Sequence, residues 1–139
     1  PFVGGDGIAG DASFIDQAGA RAAANSVATV AAPDPSSFTS GAAATFVRAY
    51  HVRYPGQDVD GYGANAYDAA MVFIIAIKNL IRAGREVTRT AVLDQVQNIT
   101  YAGVTGTIRF DKSGDITHGV FSVYGVQDGH WVWVKQISV

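Results

Sequence analysis

Cysteine is absent from the 139-residue sequence. That excludes a disulfide framework, a thiol nucleophile and a thiolate metal site, and leaves the compartment open. Histidine is almost as scarce: His51, His118 and His130 lie far apart, without the local spacing that zinc sites favour. No metal or other cofactor is expected. Charge is sparse too, at 16% of residues with a net value of −2. Nucleic acid needs a clustered basic face, so a nucleic-acid partner is not expected. The densest cations, Arg82, Arg85 and Arg89, read as a solvated helix end. The apolar run Ala69 to Ile77, bracketed by Asp68 and Lys78, falls short of the roughly 20 residues a bilayer requires, and reads as a buried helix. No signal peptide is visible, and Pro1-Phe2-Val3-Gly4-Gly5 reads as a strand end running into a turn. The expectation is therefore that preceding residues were removed or lie outside this sequence.

Catalytic patterns are missing as well. There is no Gly-x-Ser-x-Gly elbow, no His-Glu-x-x-His and no Walker loop. Asp58 and Asp60 sit together without a nearby acid or base to complete a pair. An enzyme is not expected.

What is present is a chain with 48% hydrophobic residues, enough for a real core. A strand stub over Pro1–Val3 leads into a glycine-rich loop, and Asp11 or Ser13 is placed to cap a helix with Phe14, Ala18 and Ala22 on one face. Ser26 to Ala31 reads as a strand that Pro33-Asp34-Pro35 breaks. A second helix from about Ser40 carries Phe46, Val47, Tyr50 and Tyr54. The longest runs from about Ala64 to Ala83, with Tyr67, Ala70, Met71, Ile74, Ile77 and Ile81 facing inward. Thr88 or Thr90 caps a further helix with Val92, Leu93, Val96 and Ile99 as its apolar stripe. After Tyr101 the texture changes: Thr107–Phe110 reads as a strand and Asp111–Asp115 as a turn. Two longer runs then flank Asp128-Gly129, a strong signal for a tight hairpin. The order predicts an α/β chain ending in an antiparallel hairpin.

One local pattern stands out. Gly5-x-Gly7-x-x-Gly10 follows a strand and opens a helix, the setting of a dinucleotide loop. Asp6, however, would turn its charge toward the phosphates. The same geometry suits another ligand: a carboxylate beyond the carboxyl end of a strand can meet an ammonium group through a charge-assisted hydrogen bond. The alternative is that Asp6 only caps the following helix. Tyr62, flanked by Gly61 and Gly63 before the long helix, can lie over an apolar ligand or simply pack on the surface. Trp131 and Trp133 alternate on one hairpin face, where packing against a helix is the favoured role. Asp111–Asp115 has neither the glycine nor the distal Glu of a calcium loop.

Several stretches, in order, resemble the type I periplasmic binding proteins of the leucine/isoleucine/valine family, which deliver ligands to ABC importers. They are Gly5-Asp6-Gly7; Phe14-Ile15 with Ala18-Gly19; Asn65-Ala66-Tyr67-Asp68-Ala69-Ala70; Gly106-Thr107-Ile108-Arg109-Phe110-Asp111 with Gly114-Asp115; and Val123-Tyr124 through Asp128-Gly129 to Trp131-Val132. The resemblance implies the C-terminal part of a fold with two Rossmann-like α/β lobes. Residues 1–34 would belong to the second lobe, 35–114 to the first, and 115–139 would supply closing strands of the second. It also implies extracytoplasmic binding of an amino acid or related small solute by hinge closure, with membrane subunits of an ABC transporter as partners and a periplasmic or extracellular location. In that family an acid at the position of Asp6 binds the ligand's ammonium group, and an aromatic at the position of Tyr62 contacts the ligand from the opposite lobe. One departure is Ala24-Asn25-Ser26-Val27, where relatives commonly carry a Glu-Gly pair before the strand. A nucleotide-binding enzyme domain and a ligand-sensing receptor domain of the same fold are the alternatives. A chain lacking the first strands of both lobes would leave sheet edges and helix faces uncovered, which predicts self-association or segment exchange.

Overall fold

The structure is a computed structural model that describes residues 2–139. In chain order the elements are β1 (Val3–Gly4), α1 (Ala12–Ala18), α2 (Ala20–Ala23), β2 (Val27–Val30), a 3-10 turn (Pro35–Ser37), α3 (Gly41–Arg53), α4 (Gly61–Arg82), α5 (Arg89–Gln97), β3 (Tyr101–Ala102), β4 (Thr107–Ile108), β5 (Val120–Gln127) and β6 (His130–Ser138). They fall into two compact units, one of residues 1–34 with 119–139 and the other of residues 35–118. The second unit extends to His118. The Phe110–Ile116 bridge and the Thr117 N–H donating to the Arg109 carbonyl at 3.0 Å hold that stretch to the second unit.

The first unit is built on a sheet of order β1-β2-β5-β6. β1 and β2 run parallel, joined through α1 and α2, while β5 pairs antiparallel with both β2 and β6. The strand stub is observed at Val3–Gly4, and Pro1 lies outside the described residues. The single helix expected after Asp11 is two short ones, because Gly19 holds a φ of 78°, a left-handed value that a helix interior cannot contain. The buried face is accordingly Ile15 and Ala23 against Val126, with Phe14 and Trp131 packed on it. β2 begins at Val27, and Asn25 just before it has a φ of 61°. Asparagine is one of the few residues other than glycine that tolerates this conformation. At the hairpin tip Asp128 and Gly129 have φ values of 49° and 77°, the pair of positive angles a type I′ turn requires. The β5–β6 register slips between Val123 and Tyr124, so Val134 bulges from β6. Gly125 makes room for it, since a Cβ there would lie 3.3 Å from the Val134 Cγ2.

In the second unit Phe38, Ala64 and Val104 form a buried cluster, with Ala43, Phe46 and Val47 of α3 against it. α4 is the central helix, and its buried line is Ala64, Asp68, Val72, Ala76 and Leu80. The face expected from periodicity is a turn-fraction away: Tyr67, Ile74 and Ile81 are exposed, the last by 62%. The helix is apolar nearly all round, so its periodicity does not single out one face. At 22 residues, with a mean hydropathy of 1.3 over its most apolar stretch, it is longer than the Ala69–Ile77 run and meets the length and composition of a membrane span. Five of its side chains are nonetheless buried inside the unit. α5 is capped by Thr88, whose hydroxyl accepts from the Ala91 N–H at 3.2 Å. Of its expected stripe, Leu93 is exposed and borders, with Phe73, Val92 and Val96, a groove of about 410 Å³.

Candidate functional site

β1 ends at Gly4, and Asp6 stands two residues beyond its carboxyl end on a run of tight turns. The turns are closed by the Ile8 N–H to the Gly5 carbonyl at 3.4 Å, the Ala9 N–H to the Asp6 carbonyl at 3.2 Å, and the Asp11 N–H to the Ile8 carbonyl at 3.2 Å. Asp6 is exposed. It does not cap the helix that follows. That role belongs to Asp11, whose carboxylate accepts from the Ser13 N–H at 2.8 Å and the Ser13 hydroxyl at 2.7 Å. These two bonds favour the ionised carboxyl and hold it below its ordinary range. Asp6 is thus placed on the loop by backbone turns while its neighbour does the capping.

Of the three glycines in the dinucleotide-like pattern, only Gly10 has a positive φ, of 76°. Gly5 and Gly7 have open space where a Cβ would point. At Gly10, where a dinucleotide fingerprint needs glycine for close helix–strand packing, a Cβ would likewise meet nothing within 4 Å.

Past Asp11 the loop is pinned from the hairpin. The indole N–H of Trp131 donates to the Asp11 carbonyl at 3.1 Å, and Trp131, Phe14 and Phe2 stack in series at 5.7 and 6.0 Å. Trp131 is a packing residue, in keeping with its expected role.

Tyr62 lies in the second unit. Sequence reading set it on a loop before the helix, but the helix already begins at Gly61, and Tyr62 is in its first turn, 46% exposed. The start moves forward because Asp60 is the cap: its carboxylate accepts from the Gly63 N–H at 2.5 Å. Asp58, the other acid of the supposed pair, lies 3.7 Å from His51. Asp60 serves as a helix cap and Asp58 is fully exposed, so the two do not act as an acid pair.

The most fully engaged acid was not singled out by sequence reading. Asp68 is 1% exposed, and its two oxygens accept from the Val104 N–H at 2.9 Å, the Thr105 N–H at 2.8 Å and the Thr105 hydroxyl at 2.6 Å. It fastens α4 to the loop between β3 and β4. A Cβ at Gly103 would collide with that carboxylate, so the loop can close over Asp68 only because residue 103 has none. The available signal was an aspartate inside an apolar helix together with a glycine-rich turn, Gly103 to Gly106. Among the described residues no group of three or more His, Cys, Asp or Glu is placed to hold a metal ion.

A family model described as periplasmic binding protein matches residues 2–130. No match was found among curated protein sequences. Among solved structures the chain is similar to a leucine-binding protein from Thermotoga maritima, at 26% identity and a TM-score of 0.71, covering 97% of this chain and 36% of that one. A branched-chain amino acid transporter substrate-binding protein from Streptococcus pneumoniae, in complex with isoleucine, gives 24% and 0.71 over 100% of this chain and 37% of that one. An ABC transporter substrate-binding protein from Desulfitobacterium hafniense, in complex with leucine, gives 21% and 0.65 over 95% and 35%. The last two likenesses bear on fold alone. The chain spans just over a third of the length of these solved relatives.

Proposed function

This chain belongs to the periplasmic binding protein family and has its type I α/β fold, and we propose that it forms part of a two-lobed clamp that takes up an amino acid or related amine-bearing solute outside the cytoplasm for delivery to an ABC importer. In this reading the sheet unit is part of the second lobe and the helical unit part of the first, joined by crossings at Asp34–Pro35 and His118–Gly119. Asp6 receives the ammonium group of the ligand, Tyr62 covers its side chain from the other lobe, and hinge closure brings them together. Family members are transport proteins rather than enzymes, and no catalytic role is assigned to any residue.

The observation that carries the proposal is the position of Asp6: an exposed carboxylate beyond the end of a parallel strand, relieved of capping by Asp11. Parallel strands direct their carboxyl ends toward ligands in open α/β sheets. Leucine, which the Thermotoga maritima relative is named for binding, carries the ammonium group that such an acid suits.

Titration calorimetry of the full-length protein with L-leucine and L-isoleucine tests it. A charge-assisted hydrogen bond worth about 1.5–3 kcal/mol predicts that Asp6→Asn weakens binding about 10- to 150-fold. Unchanged affinity removes Asp6 from the site. Absence of binding to any aliphatic amino acid by the unaltered protein removes the ligand class.

A further inference from the structure

The chain passes between its two units at only two places, and they are held differently. At the first, two residues are hydrogen-bonded to β5 and the residue between them is buried before the chain leaves the unit. The carbonyl of Ala32 accepts from the hydroxyl of Ser122, itself 0% exposed, at 2.8 Å. Pro33 is buried. The carboxylate of Asp34 accepts from the hydroxyl of Tyr124. Ser122 and Tyr124 are both on β5, and both bonds span 90 residues of sequence.

Beyond Asp34 there is little freedom left. Pro35 has a fixed φ and restricts the residue before it to extended conformations. Pro35 also opens the 3-10 turn, with the Phe38 N–H donating to its carbonyl at 3.0 Å, and Phe38 sits in the core of the second unit.

At the second crossing, Thr117 and Gly119 are each tied by backbone bonds. The Thr117 N–H reaches Arg109 at 3.0 Å, and Gly119 exchanges two bonds of 2.9 Å with Val139. His118 between them is exposed. The ring of His118 lies 2.9 Å from the hydroxyl of its neighbour Thr117, and among the described residues no side chain distant in sequence holds His118 as Tyr124 holds the Asp34 carboxylate.

We propose that the Tyr124–Asp34 hydrogen bond is a brake on the hinge: it stiffens the first crossing and leaves bending to His118, between the tied residues Thr117 and Gly119. Tyr124 is a positioning residue, acting on the crossing and touching no ligand. Burial raises the pKa of its phenol and the bond to Asp34 raises it further, so the hydroxyl remains a donor across the physiological range. The bearing of this brake on ligand capture rests on the clamp reading above, but the mechanical claim does not.

Because the chain has no cysteine, a pair of introduced cysteines can be spin-labelled without background. Gln17→Cys on α1 and Asn79→Cys on α4 are exposed positions, one in each unit, outside the candidate site. Pulsed electron–electron resonance, with the labelled chain diluted in unlabelled chain and no ligand present, reads the spread of distances between units. Tyr124→Phe and Asp34→Ala are expected to broaden that distribution. Asp34→Asn, which retains an oxygen to accept from the tyrosine, is expected to keep the original width. A Tyr124→Phe distribution as narrow as the parent overturns the proposal, and so does an Asp34→Asn distribution as broad as that of Asp34→Ala. Should Tyr124→Phe not fold, the two Asp34 variants decide alone. The widths are read without ligand, so a failure of amino acid binding would count against the clamp and leave this result standing.

Discussion

Replacing Asp68 with asparagine keeps the shape of the side chain and changes only what it can accept. With its oxygen kept on the Val104 N–H, the new amide group faces the Thr105 N–H and hydroxyl, now 2.8 and 2.6 Å from Oδ2. The hydroxyl can rotate and accept, but the N–H cannot, so one donor at a buried site is left opposing another. Such a group costs about 1–3 kcal/mol, and the remaining bond falls from charge-assisted to neutral strength, a further loss of about 1 kcal/mol. Against this, removing the charge relieves the desolvation of a buried carboxylate. Three well-formed bonds make the first effect the larger, and the net loss is expected to be about 2 kcal/mol. That is a large part of a total stability of about 5–15 kcal/mol. In urea it moves the midpoint down by roughly 1 M. Both tryptophans, Trp131 and Trp133, are on β6, while α3, α4 and α5 are in the other unit. Far-UV circular dichroism should therefore show the shift and tryptophan fluorescence should not. An unchanged or raised midpoint by circular dichroism would mean that desolvation outweighs the bonds, and the clasp would not be what holds the loop.

Gly103→Ala attacks the same clasp from the other side, because its methyl would overlap the Asp68 carboxylate, and it is expected to cost about 1–3 kcal/mol in the same urea assay. In an Asp68→Ala background that cost should largely vanish, and additive losses would refute the contact. Burial raises the pKa of Tyr124, with Asp34 adding to it, and burial raises that of Tyr101, with the Asp68 charge adding to it. For a folded pKa above the unfolded one, the stabilisation is complete below about pH 10 and is lost as pH climbs past it. Carbon-13 NMR of the tyrosine rings should show these two still protonated above about pH 10, and ionisation of either at its ordinary value would contradict the environment described. Finally, Phe73, Ile74, Ile81 and Leu93 on the helices and Val132, Trp133, Val134 and Ile137 on β6 are exposed. Sedimentation of this chain should show a mass that rises with concentration, reduced by Ile81→Glu with Leu93→Glu, whereas a compact monomer throughout would refute self-association.

The elements that sequence reading located well are those whose signals are local. Asp128-Gly129 between two apolar runs forms the hairpin, because positive φ at both positions is a property of that dipeptide alone. Thr88 and Asp11 cap the helices they precede. The faces of α4 were less legible. Ala64, Val72, Ala76 and Leu80 are smaller on the whole than the residues chosen from periodicity, and hydrophobicity weighed by size favours Ile74 and Ile81. Packing buried the small line and left Tyr67, Ile74 and Ile81 exposed. The division of α1 from α2 was missed because the composition of residues 12–23 is helical throughout and only the φ of Gly19 separates them.

The aspartates show most plainly where sequence stops being informative. Asp11 finds its partner 2 residues away, Asp60 finds one 3 away, and Asp111 accepts from the N–H groups of Ser113 and Asp115, 2 and 4 away. A local rule about caps and turns covers all three. Asp68 finds its partners 36 and 37 residues away, and no local rule reaches them; with Lys78 it looked like the polar edge of an apolar run, and it is instead inside the core. Asp6 is the remaining kind. Its loop is shaped by backbone bonds, the cap of the next helix is another residue, and it stands two residues beyond the carboxyl end of β1. Sequence could not choose between Asp11 and Asp6 as the cap, since both precede the helix. Once the helix is seen to begin at Ala12, only one of them is in reach of its first N–H groups, and the other is left with a position that capping does not explain.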